Sequence, residues 1–232
     1  MAPVLYTEIK AGRKPYLSQF IDELKNIFNK DNTIIIPTFN WDFCKGLPFD
    51  YKNSKSQAGI LGDYALKDKD FKRTKHPIYS YAVYGKDRDK LVENDFIDSF
   101  GDESVFHYLY YNNAAQIGIG TNTYTAHHFI EEHFFKYIIP YRYIKMFKSE
   151  YIDESGKSSI KEYSMFVRKL ELNTTVKTEP FRQDLIDKGI VKKVFINKVP
   201  IYYTHVQDYC NYAKEDIENN KSRKLVYYDG RD

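Results

Sequence analysis

Residues 16–28, YLSQFIDELKNIF, and residues 33–37, TIIIP, decide the fold class of this chain. In the first stretch apolar residues recur at intervals of three and four, which predicts an amphipathic helix. The second is a short, continuously apolar run closed by Pro37, which predicts a central strand buried on both faces. A helix that leads into such a strand indicates a layered α/β domain.

The next hundred residues continue the alternation of strands and helices. Apolar runs at 78–84 and 114–119 end at glycines and predict two further strands. Between them, Ser104 is a typical N-cap residue and predicts a helix through Asn112. Gly118-Ile-Gly120 has neither the spacing of a dinucleotide fingerprint nor the lysine of a P-loop, so it predicts a turn.

The C-terminal part of the chain has a different pattern. Alternating segments on either side of a turn at 153–156 predict an antiparallel extension. Four further elements follow in order: a helix near 179–188 stopped by Gly189, two short strands around 197–198, and a helix over 207–219. The polar tail 221–232 is expected to fray. Because no repeat or linker is visible, residues 1–232 are interpreted as one domain.

The composition excludes several classes of protein. The chain has 232 residues, of which 42% are hydrophobic, and its 35 basic residues against 32 acidic ones give a net charge of +3. This small excess does not indicate a nucleic-acid partner. No stretch approaches the ~20 apolar residues of a membrane helix, and the N-terminus lacks the pattern of a signal peptide. A cytoplasmic protein with reduced Cys44 and Cys210 is expected.

The segment 125–133 concentrates groups that carry chemistry. If Thr125 caps a helix, His128 lies in its first turn and Glu131 lies one turn later on the same face. A carboxylate at this position orients an imidazole. The helix dipole lowers the pKa of the histidine and the carboxylate raises it, and together they keep that pKa near neutral pH, as a general base requires. By spacing alone, a surface or core histidine is the alternative. A metal site is another, because His128 and Glu132 stand at i and i+4, but a third ligand would have to come from elsewhere and no metal is expected.

Five motifs occur in order between residues 32 and 142. They are Ile36-Pro-Thr-Phe39, Arg73-Thr-Lys-His-Pro-Ile-Tyr-Ser80, Phe100-Gly-Asp-Glu-Ser104, Thr125-Ala-His-His-Phe-Ile-Glu131 and Pro140-Tyr-Arg142. Together they make the chain resemble the aminoglycoside 3-N-acetyltransferase family. The resemblance implies a three-layer α/β/α sandwich around a mixed sheet and acyl transfer from acetyl-CoA without a metal.

The resemblance also implies roles for individual residues. His128 is then the general base and Glu131 assists it. The coenzyme lies near five residues, namely Arg73, Thr74, His76, Ser80 and Thr125. Relatives usually carry a serine where Thr74 stands, and they carry a longer segment ahead of the first helix than residues 1–15 provide.

Residues that follow the strand end at Pro37 are candidates for substrate contacts, since ligands of α/β proteins bind beyond strand ends. These candidates are Thr38, Asn40, Trp41 and Asp42. The leading hypothesis is acetyl transfer from coenzyme A to the amine of an amino sugar, either an aminoglycoside or a nucleotide-linked sugar for surface glycans. The alternatives are a binding protein that lacks a complete coenzyme site and a metal hydrolase. A homodimer is also possible.

Overall fold

The computed structural model describes residues 17–230, and these form two compact units. The first unit comprises the chain up to Ser99 together with Met146–Ser164. The second comprises Phe100–Lys145 together with the chain from Met165 onward. Residues 1–15, which the sequence analysis compared with the longer segment of relatives, lie outside the described residues.

The first unit contains the stretches that predicted the fold class. Its elements are α1 (Leu17–Phe28), β1 (Thr33–Pro37), β2 (Phe49–Asp50), α2 (Ile60–Ala65), β3 (Lys72–Arg73), β4 (Tyr81–Gly85) and α3 (Arg88–Glu93). Strands β1, β4 and β3 form an antiparallel sheet in that order. Helix α1 buries Leu17 and Ile21, and Ile21 packs in one core cluster with Ile36 and Ala82. The apolar stripe of the helix therefore faces the sheet, as its periodicity predicts.

The prediction that β1 is a central strand buried on both faces is wrong. Among the described residues β1 is an edge strand, and only Ile36 in it is buried. The central strand is β4, whose residues from Tyr81 to Tyr84 are all buried. Pro37 lacks an amide hydrogen, so the β1 end suits the edge of a sheet.

The second unit contains most of the remaining elements. They are α4 (Val105–Tyr111), β5 (Ala115–Ile119), α5 (His127–Phe135), β8 (Thr175–Val176), α6 (Thr178–Asp187), β9 (Lys192–Ile196), β10 (Val199–His205), α7 (Val206–Asn220) and β11 (Val226–Tyr227). Strands β5, β10 and β9 form an antiparallel sheet in that order. Helices α4 and α5 both pack against α7. This packing fixes α5, the helix that carries the histidines.

Local signals in the sequence are confirmed in both halves of the chain. The Ser104 hydroxyl accepts a hydrogen bond from the His107 amide and caps α4. Gly189 follows α6 in the left-handed region with φ +69°. Asn197 and Lys198 both have positive φ and join β9 to β10, as a tight hairpin turn requires.

The α/β class is confirmed. The sheets are smaller than the single mixed sheet that the resemblance implied. The described residues form four sheets of two or three strands. One is mixed: β2 pairs in parallel with β6 (Arg142–Ile152), and β6 neighbours β7 (Ser158–Arg168) across the predicted turn. At Gly85, with φ +97°, a Cβ would lie 1.8 Å from the Asn32 carbonyl oxygen.

The prediction of a frayed tail is wrong for its described part. Strand β11 pairs with β8, and Leu225, Val226 and Tyr228 are buried. These apolar side chains form a short run between polar residues, and tertiary packing rather than the composition of the tail decides that they are covered. Among residues 17–230, no helix has the length and apolar character that crossing a membrane requires.

Candidate active site

Helix α5 begins at His127, and Thr125 does not cap it with its side chain. The residue at the N-cap is Ala126, and the Thr125 carbonyl accepts a hydrogen bond from the His128 amide at 3.1 Å. The predicted cap is wrong because the chain is already helical at Ala126, with φ −68° and ψ −9°. His128 nevertheless lies in the first turn, and Glu131 lies one turn later on the same face.

His128 and Glu131 are in direct contact. Nδ1 of His128 lies 2.8 Å from Oε2 of Glu131. An ionised carboxylate can only accept, so Nδ1 carries the proton and Nε2 carries the lone pair. The Glu131 side chain is fully buried, whereas the His128 side chain is 21% exposed. The pair therefore presents a basic nitrogen at an accessible edge of an otherwise buried cluster.

Two further side chains contact the Glu131 carboxylate, and a third contacts one of these two. Nε of Arg142 lies 2.8 Å from Oε2, although its N–H does not point along that line, so the contact is an ion pair. The Tyr141 hydroxyl donates to Oε1 at 3.0 Å, and the Ser222 hydroxyl lies 2.7 Å from that of Tyr141. Sequence reasoning quoted Tyr141 and Arg142 in a motif without giving either a role, and it missed Ser222. Ser222 carries no signal in the sequence that would have placed it here.

The charges of this cluster follow from its burial and its one guanidinium. Burial alone would raise the pKa of the Glu131 carboxyl, but Arg142 and His128 hold that pKa far below its usual range. Burial, and then Arg142, lowers the pKa of His128, and Glu131 opposes this only in part. The resting state therefore has an ionised Glu131 and a neutral His128 at pH 7, which suits proton abstraction.

The neighbouring His127 differs from His128 in its contacts. It is buried, its Nδ1 donates to the Tyr124 carbonyl at 2.6 Å, and its Nε2 has no hydrogen-bond partner within residues 17–230. Burial and the adjacent His128 lower its pKa to about 3. Among the described residues, no hydrogen bond joins His127 to the Glu131 carboxylate. The geometry therefore favours His128 over His127 as the candidate reactive histidine.

Four of the five residues expected near the coenzyme lie in the first unit and are buried. Arg73 donates from Nη1 to the Ser54 carbonyl at 2.6 Å, from Nη2 to the Thr38 carbonyl at 3.0 Å and from Nε to the Ser80 hydroxyl at 3.1 Å. The Thr74 hydroxyl accepts from the Tyr81 amide at 2.9 Å. These polar atoms are occupied inside the unit, so the side chains hold the local backbone in place and do not present themselves to a ligand. Thr125, the fifth, lies half-buried in the second unit.

His76 is also fully buried. Its Nδ1 accepts from the Tyr79 amide at 3.1 Å, its Nε2 lies 3.3 Å from the Ser99 hydroxyl, and its ring stacks on Phe96. Burial lowers its pKa to about 3. His76 is therefore a neutral histidine whose ring nitrogens contact groups of its own unit, and the coenzyme contact expected of it stays a prediction.

The four substrate candidates differ in accessibility. Thr38 is fully buried, with its hydroxyl 2.9 Å from that of Ser80, and Asn40 is buried and donates to the Lys55 carbonyl at 3.0 Å. Trp41 and Asp42 are half-buried. Only these two retain accessible side-chain surface, and Asp42 pairs with Lys45 at 2.8 Å.

Comparison with protein families provides the identification. A family model described as aminoglycoside 3-N-acetyltransferase matches residues 9–218. The chain belongs to the aminoglycoside 3-N-acetyltransferase family. The predicted enzyme class, an acetyl-CoA-dependent N-acetyltransferase, and acetyl-CoA as co-substrate are thereby confirmed. No curated protein sequence matches the chain.

Solved structures agree with this assignment. AAC-IIIb in a binary complex with CoASH is 14% identical, with a TM-score of 0.70, over 87% of this chain and 83% of that chain. Sisomicin-bound AAC-VIa is 15% identical, with a TM-score of 0.71, over 88% and 85%. The YokD protein from Bacillus subtilis is 20% identical, with a TM-score of 0.68, over 88% and 80%. At these identities the likeness shows the fold.

One group in the described residues could hold a metal ion, but its chemistry favours a hydrogen-bonded acyltransferase site. Ligand atoms of His127, His128 and Glu131 lie within 4.8 Å of one another. Oε2 of Glu131, however, already contacts Nδ1 of His128 and is paired with the Arg142 guanidinium. A dication on that oxygen would meet a buried positive charge at close range, which is unfavourable. The alternative pair, His128 with Glu132, is not formed, because His128 turns to Glu131.

The buried network in the first unit gives a stability prediction for Arg73. Arg73→Lys is expected to lower the free energy of unfolding by roughly 2–3 kcal/mol, because a lysine reaches one acceptor and leaves buried carbonyls without donors. Urea unfolding at pH 7 measures the effect. The matched control is Arg88→Lys on the partly exposed α3, which should change the free energy by less than about 0.5 kcal/mol. Equal losses for the two variants would contradict the role given to Arg73.

Proposed function

We propose that this protein transfers an acetyl group from acetyl-CoA to an amine of an amino sugar, with His128 as the general base. The observation that carries the proposal is the 2.8 Å contact between Nδ1 of His128 and Oε2 of Glu131. This contact leaves the lone pair of a neutral imidazole on Nε2, in the part of the cluster that is not fully buried.

The reaction balances without a metal. Nε2 of His128 takes a proton from the acceptor amine while that nitrogen attacks the thioester carbonyl carbon. A C–N bond forms, the C–S bond breaks, and the sulfur leaves as a thiolate that takes up the proton held by His128, which gives CoASH and returns His128 to its neutral form. The products are an N-acetylated sugar and free coenzyme A.

Glu131 and Arg142 support this step electrostatically. When His128 gains the proton, its positive charge lies 2.8 Å from an ionised carboxylate, which stabilises the imidazolium. Arg142, on the same carboxylate, keeps Glu131 ionised and weakens its pull on the proton. Glu131 and Arg142 thus shift the pKa of His128 in opposite directions, which keeps His128 neutral between turnovers and still able to accept a proton.

For coenzyme A we propose fewer side-chain contacts than the sequence suggested. Because Arg73, Thr74, His76 and Ser80 use their side chains internally, we propose that the segment 73–80 offers main-chain groups to coenzyme A and that the buried side chains fix their geometry. Thr125 keeps a proposed coenzyme contact through its half-buried side chain. Trp41 and Asp42 keep their proposed place as acceptor contacts, since both retain accessible surface.

Coenzyme A release with a panel of amines tests the function. The purified protein is mixed with acetyl-CoA and either aminoglycosides or nucleotide-linked amino sugars, and free thiol and acetylated amine are measured together. We expect thiol release that depends on one amine class, with one acetylated amine formed per thiol. No coenzyme binding at millimolar acetyl-CoA would contradict the proposal and favour the non-catalytic alternative. Stoichiometric zinc by elemental analysis would favour the metal hydrolase.

A further inference from the structure

Two hydroxyl groups lie behind Glu131, on the side away from His128. The Tyr141 hydroxyl donates to Oε1 at 3.0 Å, and the Ser222 hydroxyl lies 2.7 Å from the Tyr141 oxygen. Since the Tyr141 proton goes to the carboxylate, the Ser222 hydroxyl is the donor in the second bond. Both residues are about 1% exposed. The hydroxyls therefore form a dry, directed chain that ends on a catalytic carboxylate.

Ser222 reaches this position through an unusual backbone. Lys221 and Ser222 adopt φ values of +51° and +61°, in the left-handed region that non-glycine residues seldom occupy. The Ser222 amide donates to the Asp216 carbonyl at 2.9 Å, and the Lys224 amide donates to the Asp216 carboxylate at 3.1 Å. Such conformations persist where surrounding contacts enforce them. The turn after α7 is thus held so that Ser222 points at Tyr141.

We propose that Tyr141 and Ser222 are positioning residues that act on His128 through Glu131. The proposal rests on the proposed function of His128. By occupying Oε1, the Tyr141 hydroxyl fixes the carboxylate plane and leaves Oε2 for Nδ1 of His128. Ser222 polarises the Tyr141 hydroxyl and strengthens its bond, because hydrogen bonds in a chain reinforce one another. The C-terminal turn is in this way part of the active site, although it contacts no reacting atom.

The charges on these atoms give the direction in which loss of a hydroxyl shifts the pKa of His128. A donor on Oε1 draws negative charge away from Oε2, so its removal should strengthen the pull of Glu131 on the His128 proton and raise the pKa of His128. The other charged and titratable groups that act on His128 come from α5, β6 and β7 and do not change. They are His127, Arg142 and Arg168. A variant that removes only one of the two hydroxyls therefore isolates what the hydroxyls contribute to the pKa of His128.

The experiment compares Tyr141→Phe and Ser222→Gly with Tyr227→Phe. Glycine suits the left-handed backbone at position 222, so loss of the hydroxyl is not confounded by added strain. Tyr227→Phe is the matched control because its hydroxyl bonds Asp229, outside the Glu131 network. We expect kcat to fall roughly 10- to 100-fold in Tyr141→Phe, as displacement of a catalytic group does, and less in Ser222→Gly. The KM for acetyl-CoA should stay unchanged.

A second measurement keeps the inference testable if no turnover is found. The His128 imidazole is titrated by nitrogen NMR in the same three variants and the native protein. We expect a raised His128 pKa in Tyr141→Phe and Ser222→Gly and no change in Tyr227→Phe. Absence of turnover in the native protein with these shifts present would reject the proposed function but keep the coupling. If His128 titrates alike in all four proteins, the positioning role is overturned.

Discussion

Changing His128 to asparagine is expected to lower kcat by about 10²- to 10⁴-fold, the usual contribution of a general base. Asparagine keeps a donor that can face Glu131 but offers no basic nitrogen, so the buried carboxylate remains satisfied while proton abstraction is lost. Acetyl-CoA binding should be largely intact, because the role proposed for His128 is to take a proton from the acceptor amine. Steady-state kinetics and calorimetric binding of acetyl-CoA measure the two effects separately.

The neighbouring histidine provides the control for this experiment. His127→Asn makes the same chemical change one residue away, and asparagine can keep the donor that His127 gives to the Tyr124 carbonyl. We expect its kcat to stay within about 10-fold of the native value, well short of the loss expected of a general base. An equal loss from the two variants would show that the wrong histidine was assigned.

The largest expected effect on stability comes from the buried ion pair between Glu131 and Arg142. Glu131→Gln should lower the free energy of unfolding by about 3–5 kcal/mol, because it leaves a buried guanidinium without its counter-ion. The Arg142 side chain is only 4% exposed, and besides the ion pair its Nη1 donates a hydrogen bond to the Phe166 carbonyl at 3.2 Å. Urea unfolding at pH 7 measures the loss.

A double variant serves as the control. Removing both charges in Glu131→Gln with Arg142→Met should restore part of the stability, since apolar replacement of a whole buried pair is often neutral. If the double variant is as unstable as the sum of the single variants, the two side chains do not interact. In that case the destabilisation would come from local packing rather than from an unpaired charge.

The same pair gives the stability of the protein a defined pH dependence. The folded-state pKa of Glu131 lies far below its ordinary value of 4.5. A carboxyl with a depressed pKa contributes stability above its unfolded pKa, and this contribution is lost as the pH falls towards the folded value. Stability should therefore decrease on acidification below about pH 5, and it should do so less steeply in Glu131→Gln. Equal slopes for the two proteins in unfolding curves between pH 7 and pH 4 would contradict this account.

What the sequence predicted well is local. The stripe in α1, the cap at Ser104, the turn glycine at Gly189 and the turn at 197–198 depend on neighbours a few residues away, so periodicity and residue type report them directly. The contact of His128 with Glu131 belongs to the same class, because residues three apart on a helix share a face. The prediction of this contact is correct even though Thr125 does not cap the helix as assumed.

What only the tertiary structure decided depends on residues distant in the chain. Periodicity cannot show that β4 rather than β1 is central, or that Arg73 and His76 bury their polar atoms inside the first unit. It also cannot bring Arg142, Tyr141 and Ser222 onto one carboxylate. The sequence by itself determined the family, the helix and the His128–Glu131 contact that we propose as catalytic. Packing determined the charge and protonation of that pair, because both depend on burial and on partners that only the folded chain supplies.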